Sequence, residues 1–383
     1  MRAREGRDSF LRTITELAAE RAAARLVVDS IRASDEKIWK DDIPPSWRTA
    51  GFVQELTAVA SEILESDPRE SLALAQLALA VATSIPADTY PSPLQAQIEG
   101  TAWKEIGTAH RYISEYDAAL RAYDAAHRSF ATANALGHDD AIVDFARAIV
   151  LTDLGRHDEA LELLRKVEPL LRGFGDQRRL VRLNMLKGMV QYRQRRLPDA
   201  RVTFEKALEE VSPDDLHTRA MLYMNLGLAC ADLGDFSDAV LMYSNARQLL
   251  TDLGMTVELN RTEWNLAHVL LLTGDFEKAA PMLKRVREFF LGNGMPEEAG
   301  LAGLDLADAS IALNAPEGAR ELVSAVLTEF TTAKLNERAL TALAYLRDVL
   351  PTTPKPIHAV RHVRQYLDQL RTEPALLFLP LPE

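Results

Sequence analysis

The sequence predicts an all-α fold, a solenoid of helical hairpins, and three observations carry that prediction. The composition is rich in Ala, Leu, Arg and Glu, with 7% aromatic residues and Gly and Pro placed singly, which favours helix over strand. Apolar residues recur at helical spacing along nearly the whole chain, so almost no sheet is expected. A small residue returns at Ala119, Ala160, Ala200, Ala239, Ala279 and Ala319, at intervals of 39 to 41 residues. A chain of 383 residues would ordinarily suggest two or three domains. In a repeat architecture each copy touches only its neighbours, so one long array is allowed.

Residues 8–33 carry Phe10, Leu11, Ile14, Leu17, Ala18, Leu26, Val27 and Ile31 at roughly helical spacing and predict one or two helices. A break follows at Asp41-Asp42-Ile43-Pro44-Pro45, because consecutive prolines stop a helix and hold the preceding residue extended. Residues 1–45 are therefore expected to form an N-terminal helical segment ending in a hinge. Phe52, Leu56, Val59, Ala60, Ile63 and Leu64 define the next helix, and Ser66-Asp67-Pro68 caps another that runs to Ser84. Together residues 46–92 form one degenerate hairpin, closed by the prolines between Ile85 and Pro93.

The regular array occupies residues 93–350, and its clearest copy is residues 221–250. There Tyr223, Leu226, Gly227, Ala229 and Cys230 share one face, Gly234 breaks the run, and Ala239, Tyr243 and Ala246 resume it. Trp103, Ile106, Gly107, Ala119, Tyr123 and Ala126 give the same pattern, as do Gly188, Ala200, Phe204 and Ala207. Leu266, Ala267, Ala279 and Leu283, and finally Leu306, Ala307, Ala319 and Val323, continue it. This resembles the tetratricopeptide repeat (TPR), a helix–turn–helix unit. The resemblance implies a right-handed α-solenoid of TPR-like hairpins over residues 46–370. The period is about six residues longer than the usual 34, enough for roughly one and a half extra helical turns per unit. In that respect the chain is similar to the elongated TPR units of bacterial regulators, including quorum-sensing peptide receptors and the sensor solenoids of large transcription activators.

After Leu350 the run Pro351-Thr352-Thr353-Pro354-Lys355-Pro356 ends the array, so residues 351–383 are expected to hold a capping helix over 357–370 and an apolar tail. That tail, Ala375 to Pro382, either folds back on the last helices or docks in a partner or a second copy of the chain. The second option would make a homo-oligomer.

The formal charge of -12 disfavours nucleic acid and favours a basic or neutral partner. Cys230, alone in the chain, lies in an apolar run and reads as a buried small hydrophobe. The segment MRAREGRDSF leads into an amphipathic stretch, so no signal peptide is expected, and no run of 18 apolar residues predicts a membrane span. A cytoplasmic location follows as the expectation. Phosphate-loop, nucleophile-elbow, zinc-protease and CxxC motifs are lacking. His358 and His362 have no neighbouring ligands in sequence, and no metal or cofactor is expected. The acidic pairs Glu209-Glu210, Asp214-Asp215 and Glu297-Glu298 are expected at helix ends that favour negative charge.

By the TPR resemblance, the working surface is the concave groove lined by the first helix of each unit. The residues it implies are Lys104 and Arg111; Arg182, Tyr192 and Arg193; Asn225; and Arg261, Trp264, Asn265 and His268. Asn225 and Asn265 stand out, because an asparagine there offers a donor and an acceptor to one peptide unit. The competing role is a hydrogen bond to a neighbouring helix. The arginines would take ligand carboxylates fork to oxygen pair. The expected function is a non-enzymatic scaffold that binds a protein or extended peptide within a bacterial regulatory complex. Two alternatives remain at this point: a peptide-sensing regulator of the quorum-sensing receptor type, and a TPR protein with phosphatase-like activity on a response regulator.

Overall fold

The computed structural model describes residues 2–33, 43–133, 137–370 and 376–381, with side chains from residue 15 onward. Among these residues there are seventeen α-helices and no strand. They pack as two compact units, 1–183 and 184–383, and α8 (Gln177–Arg193) runs through the boundary.

In the first unit, α1 (Arg2–Ala33) lies against α2 (Ala50–Ile63), joined by Arg21 Nε to Glu55 at 2.7 Å. The Glu20 carboxylate accepts the Gly51 N–H at 2.9 Å and the Tyr90 hydroxyl at 2.7 Å. The expected proline break is a short 3-10 turn at Pro45–Trp47; its acidic portion, 41–42, lies outside the described residues. Thr49 caps α2 by accepting Phe52 N–H, and Asp67 caps α3 (Pro68–Ser84) by accepting Glu70 N–H, with Pro68 in the first turn. Two hairpins follow, α4 (Ser92–Tyr112) with α5 (Tyr116–Thr132), and α6 (His138–Asp153) with α7 (His157–Gly173). His127 of α5 ties α6 to this stack through Asp140 at 2.8 Å and Asp144 at 2.9 Å. Its hydrogen bond to Asp144 outweighs the desolvation that opposes charge and, with Asp140, holds the imidazole pKa above its ordinary value.

The second unit continues with α9 (Leu197–Glu210), α10 (Leu216–Leu233), α11 (Phe236–Asp252), α12 (Thr256–Leu272), α13 (Phe276–Gly292), α14 (Pro296–Ala312) and α15 (Pro316–Thr332). It closes with α16 (Glu337–Val349) and α17 (Pro356–Leu370). The first helices α10, α12 and α14 neighbour one another in one layer, whereas the second helices α11, α13 and α15 approach each other less. The layer of first helices is therefore the inner, concave side of this unit. At the end, α16 packs on α15 while α17 packs on α14.

The forty-residue period resolves into two equal halves. From α11 to α15 each helix is 17 residues long and each turn about three, so both turns of a hairpin are built alike. Gly155, Gly175, Gly234, Gly254, Gly274 and Gly294 all take positive φ just past a helix end. At Gly234 the N–H bonds Ala231 O, and the following Asp235 N–H reaches back to Cys230 O, satisfying carbonyls that the helix leaves open. Where the period lacks glycine, Ser114, Arg195, Asn314 and Lys334 adopt the same left-handed conformation. For an exposed lysine this costs about 1 kcal/mol. Lys334→Gly should therefore raise stability by up to about that much, read as a higher urea midpoint.

Packing between the two layers follows a size rule. Gly107, Gly188 and Gly227 face the rings of Tyr123, Phe204 and Tyr243, and a Cβ on them would come within 2.6, 2.5 and 2.6 Å of a ring carbon. Where the second helix carries Leu164, Leu283 or Val323 instead, the facing residue sixteen earlier is Ala148, Ala267 or Ala307, each fully buried. The crossing alanines Ala119, Ala160, Ala200, Ala239, Ala279 and Ala319 are all at 0% exposure.

Two expectations are refined. Asp215 accepts Thr218 N–H at the start of α10, and Glu297-Glu298 lie in the first turn of α14, as the helix dipole favours. Glu209-Glu210, however, end α9, where the dipole opposes them; Glu210 instead accepts the Asn184 amide at 3.1 Å. The apolar tail turns back on its own unit. Leu376, Phe378 and Leu381 join the core, with Phe378 among Tyr345, His362 and Tyr366, while Leu377 and Leu379 face outward. Its backbone is held by Tyr366 Oη to Leu376 O at 3.0 Å and by His362 Nε2 against Leu379 O at 2.7 Å.

Candidate functional site

In each hairpin the Gly or Ala that faces the second helix fixes which residues face the groove. Two residues earlier is about 200° of helical rotation, pointing to the opposite side. In the second unit this position is Asn225 on α10, Asn265 on α12 and Asp305 on α14, a column with a strict forty-residue spacing. Asn225 is only 9% exposed and Asn265 is half-buried. Neither side chain has a hydrogen-bond partner among the described residues. The bond to a neighbouring helix that competed with a ligand role is not made.

The third rung differs. Asp305 is 4% exposed and accepts Trp264 Nε1 at 2.7 Å and Arg364 Nε at 3.0 Å, with Arg364 Nη2 on its other oxygen at 3.5 Å. The Arg364 guanidinium also stands 5.7 Å from the centre of the Trp264 ring. Burial alone would raise the Asp305 pKa, but Arg364 first, then His268 and Trp264, overturn it and hold the carboxyl far below the ordinary range. One turn on, Asp308 (5% exposed) takes Arg361 Nε at 2.6 Å and Nη2 at 3.4 Å. A cavity of about 270 Å³ adjoins these pairs, lined in part by His268, Leu271, Leu304, Arg361 and Gln365.

The other residues expected in the groove are distributed more widely. Trp264, expected on the wall, is 8% exposed and packs edge-on against Phe290. His268 has its Nδ1 3.6 Å from Asp305, too far for a hydrogen bond. Arg261 pairs with Glu298 at 3.2 Å through a side chain that stays 42% exposed. The half-buried Tyr192 bonds Asp232, and burial followed by that carboxylate pushes its hydroxyl pKa well up. Arg193 is exposed. In the first unit Lys104 pairs with Glu105 at 2.7 Å and Arg111 stacks over Tyr112 at 4.5 Å. Arg182 is exposed and unpartnered among the described residues. Sequence reasoning missed Asp305, Asp308, Arg361 and Arg364. The signal was available: adding forty to Asn265 gives Asp305, and two acids three apart in an otherwise Ala- and Leu-rich helix need cations.

The family model of the tetratricopeptide repeat matches residues 104–173 and 185–249, and a second model of the same repeat matches 260–285. The chain carries tetratricopeptide repeats over these residues. No curated protein sequence matches this TPR protein. Among solved structures, the apo form of the quorum sensor NprR from B. thuringiensis is similar with a TM-score of 0.65 at 12% identity, over 94% of this chain and 98% of that one. The apo form of RapI gives 0.63 at 12% identity, over 97% and 98%. The Rap conjugation gene regulator of the plasmid pLS20, in complex with the Phr* peptide, gives 0.52 at 15% identity, over 86% and 99%. At these identities the likeness speaks for the fold: this TPR protein shares the hairpin architecture of bacterial regulatory solenoids. No helix among the described residues is long and apolar enough to cross a membrane.

Proposed function

We propose that this TPR protein is a non-enzymatic, cytoplasmic scaffold that binds an extended peptide or protein segment along the first helices of its second unit, as part of a bacterial regulatory complex. The observation that carries this is the pair Asn225 and Asn265, equivalent positions of successive repeats, the first buried and the second half-buried, whose amides have no hydrogen-bond partner among the described residues. Each amide matches the N–H and C=O of one peptide unit. First helices packed ~8–10 Å apart space the two rungs by about three residues of extended chain. The peptide-bound pLS20 regulator, similar in fold, supports the reading by analogy.

The test is selection of a displayed random-peptide library on the purified protein. Enriched peptides should bind Asn225→Ala/Asn265→Ala at least tenfold more weakly, the loss of about 1–3 kcal/mol of hydrogen bonding, with an unchanged melting temperature. Equal binding by that variant would refute the reading. Sensing of a short diffusible peptide is a narrower form of the same proposal, and the length of the enriched sequences separates the two.

A further inference from the structure

The third rung of the groove is already taken by the protein's own C-terminal helix. We propose that Asp308, at the α17 end of the groove, is a guanidinium-binding site that Arg361 occupies in cis, and that the groove's ligand is an arginine-bearing peptide which takes Arg361's place. This rests on the peptide-groove reading above and specifies the ligand class.

Four observations converge on it. The column changes from amide to carboxylate between Asn265 and Asp305, and Asp308 adds a second buried acid one turn on. A carboxylate removed from water to this degree demands a cation, so this end of the groove selects positive charge where the other rungs select a neutral peptide unit. The cation it holds is a forked guanidinium, Nε and Nη2 of Arg361 on the two Asp308 oxygens at 2.6 and 3.4 Å. The two pairs on α17 differ in permanence. The Arg364 side chain is 21% exposed, while that of Arg361 is 52% exposed over a buried Asp308, so only the outer pair can be exchanged by a swing of one side chain.

The room for the exchange is present. The cavity of about 270 Å³ beside Arg361 has an apolar floor of Leu271 and Leu304, suited to the methylene stem of an incoming arginine. His268 lines the same cavity, and its buried Nδ1 makes no hydrogen bond. The net charge of -12 favours a basic ligand in the same direction. Arg361 acts as a tethered competitor, lowering the apparent affinity by the fraction of time it holds Asp308.

Library selection on the wild type, Arg361→Gln and Arg361→Gln/Asp308→Asn separates the outcomes. Peptides from Arg361→Gln should share an arginine at one fixed position and bind that variant at least tenfold more tightly than the wild type. Citrulline at that position, or Asp308→Asn, should abolish the gain. If Arg361→Gln proves unstable, Arg361→Lys keeps the charge without the fork and should give the same direction with a smaller gain. Peptides that depend on Asn225 but show no arginine preference would overturn this proposal and leave the groove reading standing. Selection of no Asn225-dependent peptide by any of the three would overturn both.

Discussion

Asp305→Ala should lower the stability of the second unit by about 3–5 kcal/mol, among the largest single-residue losses in the chain. The cost comes less from the bonds removed than from what they leave behind. Arg364 would keep its charge beside Trp264 with Asp368, 3.9 Å away, as its nearest remaining carboxylate, and the Trp264 indole N–H would lose its acceptor in a buried site. Burial works against the Arg364 charge, and Asp305 is the leading partner that holds its pKa above the ordinary value. Asp305→Asn/Arg364→Leu removes both charges together and should cost much less than Asp305→Ala, because no uncompensated ion remains. Trp264 is the sole tryptophan of residues 184–383, so urea titrations followed by a difference spectrum against Trp264→Phe report the transition of this unit. Equal losses for the single and double variants would show that charge compensation is not what Asp305 contributes.

The same group sets a pH dependence. A carboxyl whose folded pKa lies below its unfolded value of about 3.9 contributes stability that is present above that value and lost as pH falls through the folded pKa. The wild type should therefore lose this contribution progressively below about pH 4, while Asp305→Asn/Arg364→Leu, lacking the group, should show a flatter acid limb. A parallel fall in both would place the acid sensitivity elsewhere.

Why the repeat could be read and the groove's end could not follows from what each asks of the chain. Repeat packing imposes its demand at every copy: Ala239 and Ala279 must be small for the same reason, and the period emerges from many weak signals. Even the lengthened unit is legible, since 17-residue helices and three-residue turns add up to the spacing of the alanines. The contact between α14 and α17 happens once. Nothing periodic announces that Arg361 and Arg364 lie over Asp308 and Asp305, more than fifty residues away, and the helix that carries them reads from sequence only as a cap. The pairing of Arg261 was hidden for a related reason. Its partner Glu298 sits in the next first helix, a distance the pattern within one repeat does not encode. Asn225 and Asn265 were legible as a matched pair because the same residue recurs at the repeat's own spacing.

The size rule between layers predicts that Phe330→Ala will cost about 3–5 kcal/mol and Gly300→Ala about 1–3 kcal/mol, and that the two losses will not add. Phe330 is 2% exposed, and its ring lies over Gly300, where a Cβ would overlap Cε1 and Cζ of the ring. Removing the ring leaves a cavity; adding the methyl to Gly300 with the ring in place forces the α14 and α15 backbones apart. In Gly300→Ala/Phe330→Ala the methyl enters space the ring has vacated, and alanine regains about 0.5–1 kcal/mol of helix propensity lost at a mid-helix glycine. The double variant should be more stable than the sum of the singles by at least 1 kcal/mol, read from a urea double-mutant cycle. Additive losses would mean that glycine is present at 300 for a reason other than the ring. Gly227→Ala opposite Tyr243 should show the same coupling through Tyr243→Ala. That outcome would make ring against glycine, with alanine against leucine or valine elsewhere, a packing constraint set separately in each hairpin, so that exchanging one partner between copies destabilises both.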